Sequence, residues 1–212
     1  MEKRKYEFNG ETMTTDDGKV LHRIVATEDF GEIKAGEVGG WIETYGNLFA
    51  SAWVSDSARV SDDARVSGSA RVFGSACVSD SAWVSGSARV FGDARVSGDA
   101  RVSGSARVFG SAWVSDSAWV SGSARVSGSA RVSGSADLIT FSGFGSFNRT
   151  ITVFKCEDGE LRVVCGCFFG TVEEFAEKVE KTHGDSLYGR EYKAIIEVIK
   201  VHFEDYLKEN DA

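Results

Sequence analysis

The sequence predicts a mainly β protein built as a stacked, three-sided solenoid, and three observations carry that prediction. Val occupies every sixth position from Val54 to Val132 without exception. Ala stands two residues before each Val, so residues 51–136 read Ala-x-Val-(Ser/Phe)-(Gly/Asp)-(Ser/Asp). Phe replaces the Ser after Val only at Phe73, Phe91 and Phe109, which lie eighteen residues apart. A fixed short period marks a repeat protein in which each unit buries its apolar face only against its neighbours.

Each part of the hexad has a physical role. Ala-x-Val forms a short strand, in which Ala and Val point inward and the residue between them points out. The residue after Val also points out, and the next two turn a corner. The first corner position is Asp or Gly, as at Asp56, Asp62, Gly68, Gly74 and Asp80. These residues tolerate a left-handed backbone, Gly most readily. Such strands are too short for a sandwich, and an interior of Ala and Val alone implies a narrow cross-section. The eighteen-residue spacing of the Phe residues is expected if three hexads make one coil and the rings stack in one column.

Val54-Ser55-Asp56-Ser57-Ala58-Arg59 and its successors resemble the pattern of the hexapeptide-repeat superfamily: aliphatic, small or acidic, two variable, small, variable. The resemblance covers about half the chain and implies a left-handed parallel β-helix. Gly40-Trp41-Ile42 and Gly46-Asn47-Leu48 keep the register upstream, as does Ala136-Asp137-Leu138 downstream. The prism is therefore expected over 36–138, with five to six coils spanning roughly 25–30 Å at about 4.8 Å per coil.

Residues 1–35 are expected to form an N-terminal β cap. Val20–Ala26 is strand-like, and Gly31, Gly36, Gly39 and Gly40 mark turns. A cap is needed because an open end of the solenoid would present unpaired strand edges. The segment from Phe30 to Glu43 is similar to the lead-in of phage and prophage proteins with hexapeptide repeats, a group often labelled acyltransferases or polymer-forming proteins.

Residues 139–212 leave the repeat and are expected to form a small ββαα domain docked on the end of the prism. Thr150–Cys156 and Leu161–Cys167 alternate like strands around the turn Glu157-Asp158-Gly159-Glu160. Thr171 and Glu174 make a capping box for a helix with Val172, Phe175 and Val179 on its inner face, ending at Gly184. A second helix runs from about Tyr188 to Leu207, with the stripe Tyr192, Ile195, Ile196, Ile199, Phe203 and Tyr206.

Composition narrows the function. There is neither a long apolar run nor a signal peptide, so no membrane association is expected. Four Cys in irregular positions make no disulfide framework, and the expectation is a cytoplasmic protein of a bacterial host cell. The net charge of −8 is uneven. Residues 1–50 hold 6 Lys/Arg against 10 Asp/Glu, residues 51–136 hold 9 against 7, and residues 137–212 hold 9 against 15. A mildly basic shaft between acidic ends fits neither a nucleic-acid mimic nor a specific nucleic-acid binder.

Stacking by eighteen sorts the outward residues into three faces. The first carries Trp53, Arg71, Arg89, Arg107 and Arg125, beside Phe73, Phe91 and Phe109. The second carries Arg59, Cys77, Arg95, Trp113 and Arg131. On the third, Arg65, Trp83, Arg101, Trp119 and Asp137 follow one another, an alternation suited to cation–π stacking between coils. A row of Phe rings exposes an apolar strip, and a row of Arg at coil spacing repels itself. Both costs fall against a partner. The superfamily commonly packs prisms into trimers, so the Phe column is expected to be a homotrimer contact. The Arg column, with Trp83 and Trp119, is then a candidate site for an anionic ligand.

Catalysis is not expected. Hexapeptide-repeat acyltransferases use a prism His as general base, whereas His22, His183 and His202 all lie outside the repeat. No inserted loop interrupts the repeat to close an acceptor site. Cys156, Cys165, Cys167 and His183 have the side chains a Zn site requires, but their spacing is not that of a standard finger, and buried Cys often serves only as packing. His183 in Thr182-His183-Gly184 suits the C-terminus of a helix. No metal or cofactor is therefore expected. The sequence reading is a non-catalytic, trimeric phage or prophage binding protein. It either sequesters an anionic, nucleotide-like host defence signal or serves as a rigid rod presenting its C-terminal domain to a host or virion protein. Acyl transfer is the enzymatic alternative.

Overall fold

The computed structural model describes residues 4–210. Fourteen two-residue strands, β4 (Trp53–Val54) to β17 (Arg131–Val132), coil into a parallel β-solenoid of about five turns. Every third strand pairs in parallel and in register. The first face stacks β4, β7 (Arg71–Val72), β10 (Arg89–Val90), β13 (Arg107–Val108) and β16 (Arg125–Val126). The second stacks β3 (Val38–Ile42), β5 (Arg59–Val60), β8 (Cys77–Val78), β11 (Arg95–Val96), β14 (Trp113–Val114) and β17. The third stacks β6 (Arg65–Val66), β9 (Trp83–Val84), β12 (Arg101–Val102) and β15 (Trp119–Val120), with Leu48 bridging to Val66 beneath them.

The interior is the Val and Ala of each hexad. From Val54 to Val126 every repeat Val has no solvent exposure, and neither does any repeat Ala from Ala58 to Ala130. Backbone hydrogen bonds run along the axis from each coil to the next, as in Arg89 N–H to Ala106 O at 2.9 Å and Phe91 N–H to Val108 O at 3.0 Å. A two-residue strand is marginal alone. Here each of the strands from β7 to β14 is held on both sides by a two-residue strand one coil away.

The corners explain the choice of Gly and Asp. Gly86 has φ +68°, and a Cβ on it would come within 2.9 Å of the Gly104 carbonyl in the next coil. Asp56, Asp62, Asp80 and Asp116 also lie at positive φ, between 49° and 59°. Three of the carboxylates offset that strain by accepting from the coil above, Asp56 Oδ2 from Gly74 N–H at 3.0 Å, Asp62 Oδ2 from Asp80 N–H at 3.3 Å and Asp80 Oδ2 from Gly98 N–H at 3.0 Å, whereas Asp116 accepts from its neighbour Ser115 Oγ at 3.1 Å.

At the N-terminus, β2 (Val20–Ala26) forms as the sequence indicates. It pairs antiparallel with both β3 and a further strand, β1 (Tyr6–Thr14). The hairpin thus extends the second face. β1 is obscure in the sequence because most of its residues face solvent and Gly10, at φ +95°, interrupts its pairing. Trp53 heads the first face by spacing but is buried to 1 % exposure. The cap covers it, with the Phe30 ring edge-on at 5.6 Å.

The C-terminal unit contains the two expected strands, at Arg149–Lys155 (β19) and Leu161–Cys165 (β20), and two more beside them. β18 (Leu138–Phe144) and β21 (Phe168–Gly170) complete a four-stranded antiparallel sheet. The turn at Gly166, φ +61°, ends β20 before Cys167 and returns the chain as β21. β18 is hidden by the glycines around it, Gly143 and Gly145, both at positive φ. Helix α1 (Val172–His183) carries the expected capping box and ends at Gly184. The second helical stretch divides at Phe203 into α2 (Leu187–His202) and α3 (Glu204–Asn210).

The same unit seals the prism. Arg125 N–H donates to Thr152 Oγ1 at 3.1 Å, Glu157 N–H to Ser129 O at 3.1 Å, and Phe154 lies fully buried in the core shared with the solenoid. Asp137 does not continue the third face. It sits in a 3-10 turn, Ser135–Asp137, where it accepts from the Ser133 and Gly134 amides and pairs with Lys155 at 2.8 Å. The prism ends there, and β19 lies across its last coil with Phe154 in the shared core.

Gly86→Ala and Gly122→Ala separate corner strain from coil stacking. Both residues have positive φ, at a shared cost of about 1–2 kcal/mol for a side chain. Only Gly86 has backbone against its Cβ position, whereas nothing lies within 4 Å at Gly122. Chemical denaturation is expected to show Gly86→Ala less stable than Gly122→Ala by a further ~1–3 kcal/mol. Equal losses would contradict the tight corner stacking.

Candidate ligand-binding faces

The repeat places one outward side chain at the centre of each strand and locks it in register with those above and below. On the first face Arg71, Arg89 and Arg107 therefore stand directly over one another. Arg89 and Arg107 are exposed, and among the described residues neither forms an ion pair or side-chain hydrogen bond. Arg71 is half-buried and leans on the cap, where a Cβ on Gly31 would meet its Nη2 at 3.4 Å. Arg125 is already engaged: its Nη1 donates to Gly166 O at 2.7 Å and its guanidinium lies 5.8 Å from the Phe109 ring. Its Nε is buried without a partner. The open part of the expected Arg row is thus Arg89 and Arg107, with Arg71 at its lower end.

Phe73, Phe91 and Phe109 line the adjoining corner. Their rings stack at 4.8 and 5.0 Å, within 3° of parallel, and each is half-buried. The rings bury much of one another within a single chain, leaving a narrower apolar strip than the spacing alone suggests. Such stacks contribute about 0.5–1.5 kcal/mol per pair beyond the area they bury.

The third face differs from its expected chemistry. Among the described residues, no guanidinium on this face lies over an indole ring. Instead each indole donates Nε1–H to a corner serine of the preceding coil, Trp83 to Ser67 at 3.1 Å and Trp119 to Ser103 at 3.4 Å. Trp113 on the second face donates likewise to Ser97 at 3.1 Å, and there Arg131 does lie over the ring, at 5.8 Å. The three rings are exposed, and the corner serines give each indole N–H an acceptor within the chain. Trp83 and Trp119 do not join the Arg71–Arg89–Arg107 row, since the two sets belong to different faces.

Cys77 stands between Arg59 and Arg95 on the second face. Burial pushes its thiol up, and the two guanidinia only partly oppose that. The four side chains considered for a metal are not brought together. Cys156 is buried in the core at the prism end, Cys165 is buried in the separate C-terminal core, and Cys167 is exposed on the turn. His183 lies at the end of α1, its ring 5.4 Å from that of Tyr192. Among the described residues no three His, Cys, Asp or Glu side chains form a metal-binding group. No described helix is long and apolar enough to cross a membrane.

A device that composition hides lies at the lower corner between the second and third faces. Asp62 accepts from Lys19 Nζ at 2.7 Å and from the Asp80 amide at 3.3 Å, tying the cap hairpin to the first coils. Burial works to raise the Asp62 pKa, but Lys19, the Asp80 amide and Ser61 outweigh it and hold the carboxyl below its usual range. The Lys19 ammonium is correspondingly raised, chiefly by its hydrogen bond to Asp62. The signal available in the sequence was the run of Asp, and not Gly, at the first corners of this column.

Fold and faces together define a β-solenoid repeat protein that displays rows of outward side chains. The chain is similar to the YdcK Beta solenoid repeat, whose family model matches residues 58–74, 88–104 and 100–116, all within the prism. A comparison with curated proteins gave no match.

The Asp62 contact sets a pH dependence. Because its folded pKa is lowered, its contribution is complete above the unfolded value of about 3.9 and is lost as pH falls through the folded value. Asp62→Asn is expected to cost up to about 1 kcal/mol at pH 7, the pair being partly screened by solvent. Below pH 4 the difference from the parent should shrink towards zero, as measured by denaturant titration at several pH values. A penalty that stays constant through acid would show that the carboxylate charge is not what matters.

Proposed function

We propose that this protein acts by binding and not by catalysis, and that Arg71, Arg89 and Arg107 hold an anionic small molecule. The observation that carries this reading is the in-register row of guanidinia that have no acidic partner among the described residues. Like charges at neighbouring rungs repel by on the order of 1 kcal/mol in water-like surroundings, and a shared anion turns that cost into attraction. Guanidinium groups suit phosphate or carboxylate, which they bind through paired hydrogen bonds. The placement of His22 against Phe8, and of His183 and His202 on the C-terminal helices, supports binding over acyl transfer, because none of them faces a prism surface.

In this proposal three prisms pack along the Phe73–Phe91–Phe109 strip as a homotrimer, and the Arg row lines the groove between subunits. The likeness of residues 30–43 to phage and prophage proteins favours a nucleotide-like signal of host defence as the captured anion, in the bacterial cytoplasm. A second reading rests on the outer side of α2, where Leu187, Val198 and Val201 are exposed. There the prism acts as a rigid spacer, and the C-terminal domain docks a protein partner.

Native mass spectrometry of protein purified gently from bacterial cells tests both. A trimer with bound mass released on denaturation is the expected result. Arg89→Glu is expected to lose that mass at least tenfold while remaining trimeric, because it reverses the charge at the centre of the row. A trimer without bound mass would move the function to the C-terminal domain. A monomer would sink the Phe strip as a contact between copies.

A further inference from the structure

We propose that the third face is a separate binding surface for an acidic, β-linked oligosaccharide lying along the prism axis. Trp83 and Trp119 are among the most exposed large apolar side chains of the solenoid, at 47 % and 62 %. Arg101 stands between them, in register with both. It is exposed, and among the described residues it forms no ion pair or side-chain hydrogen bond. The face therefore reads indole, cation, indole, with Arg65 one coil further down.

The two indoles are held for an outside partner. Each Nε1–H reaches back to a serine of the preceding coil, two residues beyond the strand position in register with its own Cα. That bond draws the ring diagonally across the face and fixes its orientation. A ring already held in place loses little freedom on binding, so less of the contact energy is spent on ordering. The polar edge of each indole is satisfied within the chain, leaving apolar surface as what the face offers.

Spacing and charge select the ligand. Two coils separate the indoles, a distance of about 10 Å. An extended β-1,4-linked pyranoside chain turns the same C–H face outward at every second ring, at an interval close to two coils. Alternate rings can then stack on Trp83 and Trp119. The ring between them presents its substituents to Arg101, and a uronic acid carboxylate there gives the guanidinium the partner it lacks. Single-stranded nucleic acid is the competing polymer, because bases also stack on aromatic side chains. Successive bases follow more closely than two coils, so the spacing favours the glycan. The surface is distinct from the Arg71–Arg89–Arg107 row, and either can fail alone.

The test is calorimetric titration of the full-length protein with a β-1,4-linked mannuronate hexamer, with cellohexaose and a short oligothymidylate as comparisons. Binding of the hexamer is expected, with a loss of at least tenfold in Trp83→Ala and in Trp119→Ala. Trp83→Phe should keep much of the affinity, which separates loss of the platform from damage to the coil. Arg101→Ala should weaken the acidic hexamer severalfold and leave cellohexaose unchanged. Trp113→Ala, on another face, should change nothing. No binding by folded protein would overturn the proposal, as would an equal loss in Trp113→Ala. Preference for the oligothymidylate would assign the face to nucleic acid. A change of oligomeric state in Trp83→Ala, seen by sedimentation without any sugar binding, would assign it to contact between copies.

Discussion

Everything in this molecule depends on one constraint, the match between a side-chain pattern of six and an axial hydrogen-bond ladder that must close every eighteen residues. A two-residue strand has no stability of its own. It exists here because the amides of one coil find carbonyls of the next, at 2.7–3.0 Å along the shaft, while Val and Ala fill the space between. The repeat Val and Ala have almost no solvent exposure, and burial makes each backbone bond costly to lose. Regularity is thus a requirement of the packing. A single misplaced residue would disturb the coils on both sides of it.

The same ladder produces the outer surface. Because each outward residue is fixed directly above its counterpart eighteen positions earlier, the protein displays rows and not scattered side chains. Rows concentrate both attraction and repulsion. The Phe row satisfies much of itself by stacking. The Arg row cannot: Arg89 and Arg107 stay exposed, with no ion pair among the described residues. The indoles of the third face are intermediate, with polar edges satisfied within the chain and much of their apolar surface left open.

The prism was legible in the sequence because its physics is local and periodic. Val54 to Val132 state the interior outright, and the eighteen-residue spacing of the Phe residues states the coil. What escaped was wherever the ends interrupt that logic. Trp53 and Asp137 fit the register but are taken over by the cap and by the chain leaving the prism. Arg125 likewise belongs to the row by spacing, yet it is drawn to the Gly166 carbonyl of a unit whose position no repeat predicts. β18 and β21 were invisible because glycines flank or separate short, partly exposed strands. Rows of candidate residues could be read from the sequence, but which members remain free depended on how the ends dock.

In-register stacking also sets the unit in which such a protein can grow. Inserting eighteen residues lengthens every row by one rung and leaves the two terminal modules in the same relative orientation. Inserting six lengthens the chain but turns the C-terminal module by a third of a revolution and moves every later outward residue to a different face. A lineage can therefore extend its shaft gradually in sequence only if it does so in whole turns. The orientation of the two ends is a discrete quantity with three values, as in an indexed shaft, fixed by the number of hexads modulo three.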